Sequence, residues 1–225
     1  MLYFCLSYGQ DKTAPILKIY NTVSVEKYTW ASYLFSRNNY VPTQKIYQEI
    51  AFLRPTIALM WQGKKRISHE IELSHFSWQR IDSVTQRKVP LTFSVSGNQQ
   101  NLLFLALRYE YIYRIGSADW RFSPMISAAI TPYIHYLETR PHTSLNYPET
   151  FLATGAKVSL IPRLTLRVSH KCSLDLNFPI SLFDQSFHKY ILKNPSLALN
   201  EQRIAYASFS GIADISARIG VGIRL

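Results

Sequence analysis

The sequence predicts an all-β fold, an antiparallel up-and-down transmembrane β-barrel of eight strands, or of ten if residues 28–52 hold a further hairpin. Three observations carry this. Period-two alternation of apolar and polar residues recurs from end to end, and the connections between alternating segments are short and long in turn. No window approaches the roughly 18 consecutive apolar residues that a membrane-spanning helix needs, which excludes a helical membrane protein.

The elements follow in order. A first strand falls within residues 16–34, where Leu17, Ile19, Val23 and Val25 alternate imperfectly before Tyr28 and Trp30. Residues 53–62 place Leu53, Ile57, Leu59 and Trp61 on one face, and residues 66–79 set Ile67, Ile71 and Leu73 opposite Ser68, Glu70, Glu72 and Ser74. The clearest strand is 102–115. Leu103, Leu105, Leu107, Tyr109, Tyr111, Tyr113 and Ile115 share one face, with Phe104, Ala106, Arg108, Glu110, Ile112 and Arg114 on the other. An apolar or tyrosine face of about ten residues crosses a bilayer when tilted. Residues 120–137 align Phe122, Ile126, Ala128, Ile130, Ile134 and Tyr136; Pro124 and Pro132 interrupt the ladder there and predict local bulges. Residues 151–161, 164–182 and 215–225 complete the eight, the last with Ile215, Ala217, Ile219, Val221, Ile223 and Leu225 outward.

Short connections are expected at Gly63 to Lys65, Gly116 to Asp119 and the Ile161-Pro162-Arg163 corner, and long ones at about 35–50, 80–98, 138–150 and 183–207. Transmembrane barrels sort their loops this way, with short turns and both termini on the periplasmic side. Trp61, Tyr113 and Trp120 fall near short turns and are expected to form an aromatic girdle at that interface.

At 225 residues with 47% hydrophobic content, the chain suits one domain, residues 11–225. Residues 1–10, MLYFCLSYGQ, read as the remnant of a secretory signal peptide cut after Gln10, with a short apolar strand as the competing reading. The signal reading removes Cys5 and leaves Cys172 unpaired. A lipid anchor at Cys5 is disfavoured because LYFC lacks small residues. The net charge of +11 is scattered, with no basic run longer than Lys64-Lys65-Arg66 and no nucleic-acid motif, so nucleic acid is not an expected partner whereas an anionic membrane surface is.

An eight-stranded barrel is filled by its inward side chains. The inward list is a lumen charge network of Glu70, Glu72, Arg108, Glu110, Arg114, Lys157, Arg167, Asp175, Arg218 and Arg224. Enclosed charges must pair or stay hydrated. Glu72 and Arg108 lie equally far from their shared side's short turns and are expected to form a salt bridge. Glu70 and Glu110 then need Arg218 or Lys157 as counter-ions. Basic loop residues Arg37, Lys45, Arg80, Arg87, Lys88, Arg140, Lys189, Lys193 and Arg203 would meet lipopolysaccharide phosphates, and Tyr147, Phe187 and Tyr190 give the same loops aromatic character.

The ending RIGVGIRL, the preceding NPSLALNEQR and the segment HEIELSHFSW at residues 69–78 resemble small outer-membrane β-barrel proteins of Gram-negative bacteria. The resemblance implies an outer-membrane location and insertion by the barrel assembly machinery. It also implies a C-terminal insertion signal at Ile219, Val221, Ile223 and Leu225, although such barrels commonly end in an aromatic residue and this chain ends in leucine. The expected role is non-enzymatic, structural or binding through loops, as a monomer. No P-loop, zinc-ligand spacing, nucleophile elbow or dinucleotide fingerprint is present, so no cofactor is expected. His69, Glu70 and Glu72 do not make a metal set by alternation, which sends His69 to the opposite face. Two alternatives remain. His75 and Ser77, two apart on one strand, resemble the His-x-Ser pair of a membrane-embedded lipid A hydrolase. A soluble lipocalin-like carrier would bury the apolar face and expose Arg108, Glu110 and Arg218.

Overall fold

The computed structural model describes residues 14–36, 39–63, 66–89, 92–117, 120–141, 147–199, 202–210 and 215–225, with side chains outside 24–54, 83–98 and positions 81, 204, 206 and 210. Residues 1–10 and Cys5 therefore lie outside the described residues, as does Arg37.

Ten strand segments form one antiparallel sheet: β1 (Ile16–Ser36), β2 (Asn39–Gln62), β3 (Ile67–Val89), β4 (Thr92–Arg114), β5 (Phe122–Pro141), β6 (Glu149–Arg167), β7 (Cys172–Asn177), β8 (Ile180–Leu192), β9 (Arg203–Ser210) and β10 (Ile215–Arg224). β1 pairs with both β2 and β10, which closes the barrel. β6 pairs with β7 from Arg163 to Arg167 and with β8 from Glu149 to Leu160, so β7 and β8 are successive lengths of one stave. β9 and β10 divide the last stave likewise, β9 against β8 and β10 against β7 and β1. The result is a closed eight-stave barrel.

Two prolines explain the split between β7 and β8. The carbonyl of Pro162 accepts the Phe178 N–H at 3.0 Å, but Pro162 has no N–H to return. Pro179 follows at once, and the ladder breaks where both prolines meet it. This corrects the expected corner at Ile161-Pro162-Arg163: β6 runs straight through it, and the short turn lies at residues 168–171. The bulges expected at Pro124 and Pro132 are also absent, because β5 holds one register against β6 from Phe122↔Leu166 to Thr139↔Glu149.

Three of the four segments expected as long loops, 35–50, 80–98 and 183–207, are largely strand, the last through β8 to Leu192 and β9 from Arg203. β1 and β2 continue to Ser36↔Asn39, and β3 and β4 to Val89↔Thr92, so each pair is a ladder almost to its tip. β2 and β3 share only the rungs from Ile57↔Leu73 to Gln62↔Ser68, and β4 leaves β5 above Asn98. The two hairpins thus stand clear of the barrel wall. β5 and β6 enter only the ends of the remaining segment, 138–150, to Pro141 and from Glu149.

The faces are inverted relative to a soluble protein. Ile219 is 64% exposed while the adjacent Arg218 is 0% exposed, and Trp78 at 77% stands on the outside with Ile57, Ile71 and Phe76. Glu70, Glu110 and Asn177 are buried in the lumen. A lipocalin-like arrangement requires the reverse and is ruled out by this burial.

Candidate functional site

Every stave sends alternate residues inward, so the lumen is layered by register. Its middle is a compact ion-pair layer. Arg163 on β6 reaches Glu110 at 2.5 Å, Glu70 at 2.9 Å and the Tyr20 hydroxyl at 2.6 Å, while its Nε donates to Asn177 Oδ1 at 3.1 Å. Arg218 on β10 donates to Glu110 at 2.8 Å and to Glu72, with its guanidinium 4.7 Å above the Tyr20 ring. Arg108 meets Glu72 at 3.3 Å, across the rung Glu72↔Arg108. Lys18 bonds Asp175 and lies 3.2 Å from Glu70.

Four carboxylates (Glu70, Glu72, Glu110, Asp175) thus face four cations (Lys18, Arg108, Arg163, Arg218). Hydroxyls complete the shell: Thr56 donates to Glu72 at 2.6 Å, Thr165 to Asp175 at 2.5 Å and Ser127 to Glu110 at 3.1 Å. Glu70, Glu72 and Glu110 bring their oxygens close enough together for a cation, and the Arg163 and Arg218 guanidiniums already occupy that role.

Close packing at the centre depends on one glycine. Gly220 lies opposite Tyr20, and a Cβ there would sit 2.2 Å from the Tyr20 ring. The GVG of the last strand therefore admits a flat aromatic side chain between two arginines.

Below this layer, Ile16, Met60, Ile112 and Met125 form a small apolar floor. Arg114, Arg167 and Arg224 lie beyond it at the short-turn mouth, where Arg167 and Arg224 are exposed rather than enclosed. Above it lies a cavity lined by Arg108, Lys157, Tyr133, His75 and Ser181 among others. Lys157 stands 5.9 Å from the Tyr133 ring and opposite Asp184, so it is not the counter-ion of Glu70 or Glu110. Glu70 is matched instead by Lys18 and Arg163.

Arg163, Lys18 and Tyr20 are absent from the network expected on sequence alone. The signal for Arg163 is nevertheless there: Leu160, Pro162 and Leu164 keep one parity across the supposed corner, which places Arg163 inside. Lys18 and Tyr20 alternate with Leu17 and Ile19 in the same way.

His75 and Ser77 do meet, Nε2 to Oγ at 3.3 Å. A register shift between Leu73 and His75 turns both into the lumen, opposite Ala106 and Phe104, and away from the lipid-facing wall. His75 packs edge-on against Phe104 at 4.3 Å, the start of an aromatic chain through His135, Phe151 and His188. His69 faces outward, stacked on Trp61 and bonded to the Tyr109 hydroxyl at 2.7 Å. Trp61, Tyr113 and Trp120 all lie at the short-turn end. Trp120 covers Gly116, whose φ of 124° only glycine adopts without strain and where a Cβ would meet the indole at 2.7 Å. Ile219, Val221, Ile223 and Leu225 are all exposed on the outer face. Cys172 is a free thiol.

A closed barrel with an apolar exterior and a charge-filled interior defines the class: a small transmembrane β-barrel of the outer-membrane type. Among solved structures, the chain is similar to Neisserial surface protein A, with a TM-score of 0.46, 8% identity, and 96% of this chain and 100% of that one covered. It is similar to the E. coli outer membrane protein W at a TM-score of 0.44, 10% identity and coverage of 96% and 100%. For Acinetobacter baumannii CarO the TM-score is 0.31, at 9% identity and coverage of 91% and 97%. No family model and no curated protein matches the chain.

Proposed function

We propose that this protein is a sealed, non-enzymatic barrel of the bacterial outer membrane that holds long hairpins at the cell surface, in a structural or binding role. The observation that supports it most is the charge-balanced layer of Arg163, Arg218, Lys18 and Arg108 with their four carboxylates, which fills the lumen cross-section. Ions would have to break buried pairs to pass. β2, β3 and β4 have 24, 23 and 23 residues. About ten cross a bilayer, so more than half of each is available outside it.

In this reading the short turns and both ends of the barrel face the periplasm, where the Leu225 N–H bonds the Pro15 carbonyl at 3.0 Å. The hairpin side faces lipopolysaccharide, toward which Arg80, Arg140, Lys189, Lys193 and Arg203 present exposed side chains. The barrel assembly machinery inserts the chain, and it acts as a monomer. The lipid A hydrolase reading is disfavoured by the inward position of His75 and Ser77, because acyl chains lie on the other side of the wall.

Planar-bilayer recording on the purified barrel, paired with heat-dependent gel mobility in outer-membrane fractions, tests this. A heat-modifiable band without conductance steps is the expected result. Steady wild-type conductance refutes the sealed lumen, and a soluble protein without detergent refutes the membrane location.

A further inference from the structure

The cavity on the hairpin side of the ion-pair layer has a lining that a sealed barrel does not need. Six hydroxyls from six different staves ring it: Thr22 on β1, Ser74 on β3, Thr131 on β5, Ser159 on β6, Ser181 on β8 and Ser216 on β10. Its volume is about 80 Å³, enough for several water-sized groups. Phe104 and Tyr133 make one wall, their rings 6.2 Å apart and 12° from parallel.

Ser181 points to a ligand. It is 4% exposed and lines the cavity beside its rung neighbour Ser159, yet its Oγ has no hydrogen-bond partner. Burying a hydroxyl without a partner is costly, and serine offers one donor and two acceptor positions. Elsewhere in the ring, Ser74 donates to the Ala106 carbonyl at 3.2 Å and so retains its lone pairs, whereas Thr131 accepts from the Arg108 Nε at 3.4 Å and so retains its proton. The ring therefore offers both donors and acceptors.

The charges nearby have partners of their own. Glu72 is held by Arg218 and Arg108, Tyr133 donates to Asp184 at 2.9 Å, and Lys157 stands opposite Asp184 on its rung. A ligand with a net charge would enter this balanced space without a counter-charge. A purely apolar ligand would leave Ser181 unpaired. Both surfaces suit a compact carbon skeleton bearing several hydroxyls, with its C–H face against Phe104 and Tyr133 and its hydroxyls toward the ring.

We propose that this cavity is a binding site for a neutral polyol, between glycerol and a single sugar ring in size. The ion-pair layer lies beneath it, so the ligand enters and leaves on the hairpin side. The site does not depend on what the hairpins bind, and conductance through the lumen would leave it in place.

The test uses the folded full chain, labelled with nitrogen-15, in a polyoxyethylene detergent that carries no sugar headgroup. Glycerol and D-glucose are titrated in turn while amide resonances are followed by NMR. At least one of them is expected to produce saturable shifts at Thr131, Ser159 and Ser181. Ser181→Ala should weaken that binding about threefold or more. Ala106→Leu, which fills the cavity from a position 5% exposed on its wall, should abolish it, whereas Ser123→Ala at the short-turn end should leave it unchanged. D-gluconate, close to glucose in size but anionic, should bind at least tenfold more weakly than glucose. Heat-dependent gel mobility verifies folding, and Ser181→Ala, which removes a single oxygen, decides the matter if Ala106→Leu does not fold. No saturable shift with either polyol, undiminished binding by Ser181→Ala, or gluconate binding as tightly as glucose overturns the proposal.

Discussion

Replacing Arg163 by methionine is the most demanding test of the lumen. The guanidinium makes close contacts to Glu110, Glu70, Tyr20 and Asn177, and its side chain is 0% exposed. Methionine keeps most of the volume but removes one of four cations facing four carboxylates. Removing one partner of a buried pair costs about 3–5 kcal/mol, chiefly because the remaining charge is left uncompensated. With a urea slope of about 2 kcal/mol/M, the unfolding midpoint in lipid vesicles should fall by roughly 1.5–2.5 M. Tryptophan fluorescence reads the transition. The double variant Arg163→Met with Glu110→Gln restores charge balance and should recover more than about 1 kcal/mol of that loss, as contacting residues do in a mutant cycle. A single-variant midpoint within about 0.5 M of wild type, at the same urea slope, would refute the idea that these pairs are dry and mutually dependent.

Gly220→Ala places a methyl group into the Tyr20 ring and should destabilise the barrel by about 1–3 kcal/mol, the usual range for overpacking; an unchanged urea midpoint counts against the close approach of Tyr20 to the last strand. Ser77→Ala should leave lipid A acylation unaltered by mass spectrometry, since the His75 and Ser77 contact faces inward. A loss of deacylated lipid A on that change would revive hydrolase chemistry. In a variant retaining only Trp120 among its tryptophans, lipids brominated near the headgroup should quench fluorescence more than lipids brominated at the chain end. The opposite order would remove Trp120 from the interfacial girdle.

Strand existence is legible in the sequence because lipid on one side and charge on the other enforce a strict two-residue period. β4 shows this best, with its tyrosine and leucine face opposite Arg108 and Glu110. Boundaries are harder. Pro162 reads as a corner because proline normally ends a central strand, yet its missing donor coincides with a break in the neighbouring stave. That misreading hides Arg163, the most connected cation of the layer. His75 faces inward only because of the shift after Leu73, and no local residue pattern announces a bulge of that kind. The polar runs near residues 35–50 and 80–98 read as loops because, beyond the membrane, neither face of a hairpin needs to be apolar.

The seam between β2 and β3 has six rungs, from Ile57↔Leu73 to Gln62↔Ser68, whereas β5 and β6 share eighteen. Hydrogen bonds in a ladder open in sequence from an end, so the time needed to separate neighbouring staves grows with the number of rungs between them. The barrel is therefore a cylinder with one short zip. Under heat, pulling force or insertion in reverse, the wall should open along β2 and β3 first, and the amides of Leu59 to Gln62 should exchange with solvent before those of Ala128 to Ile134.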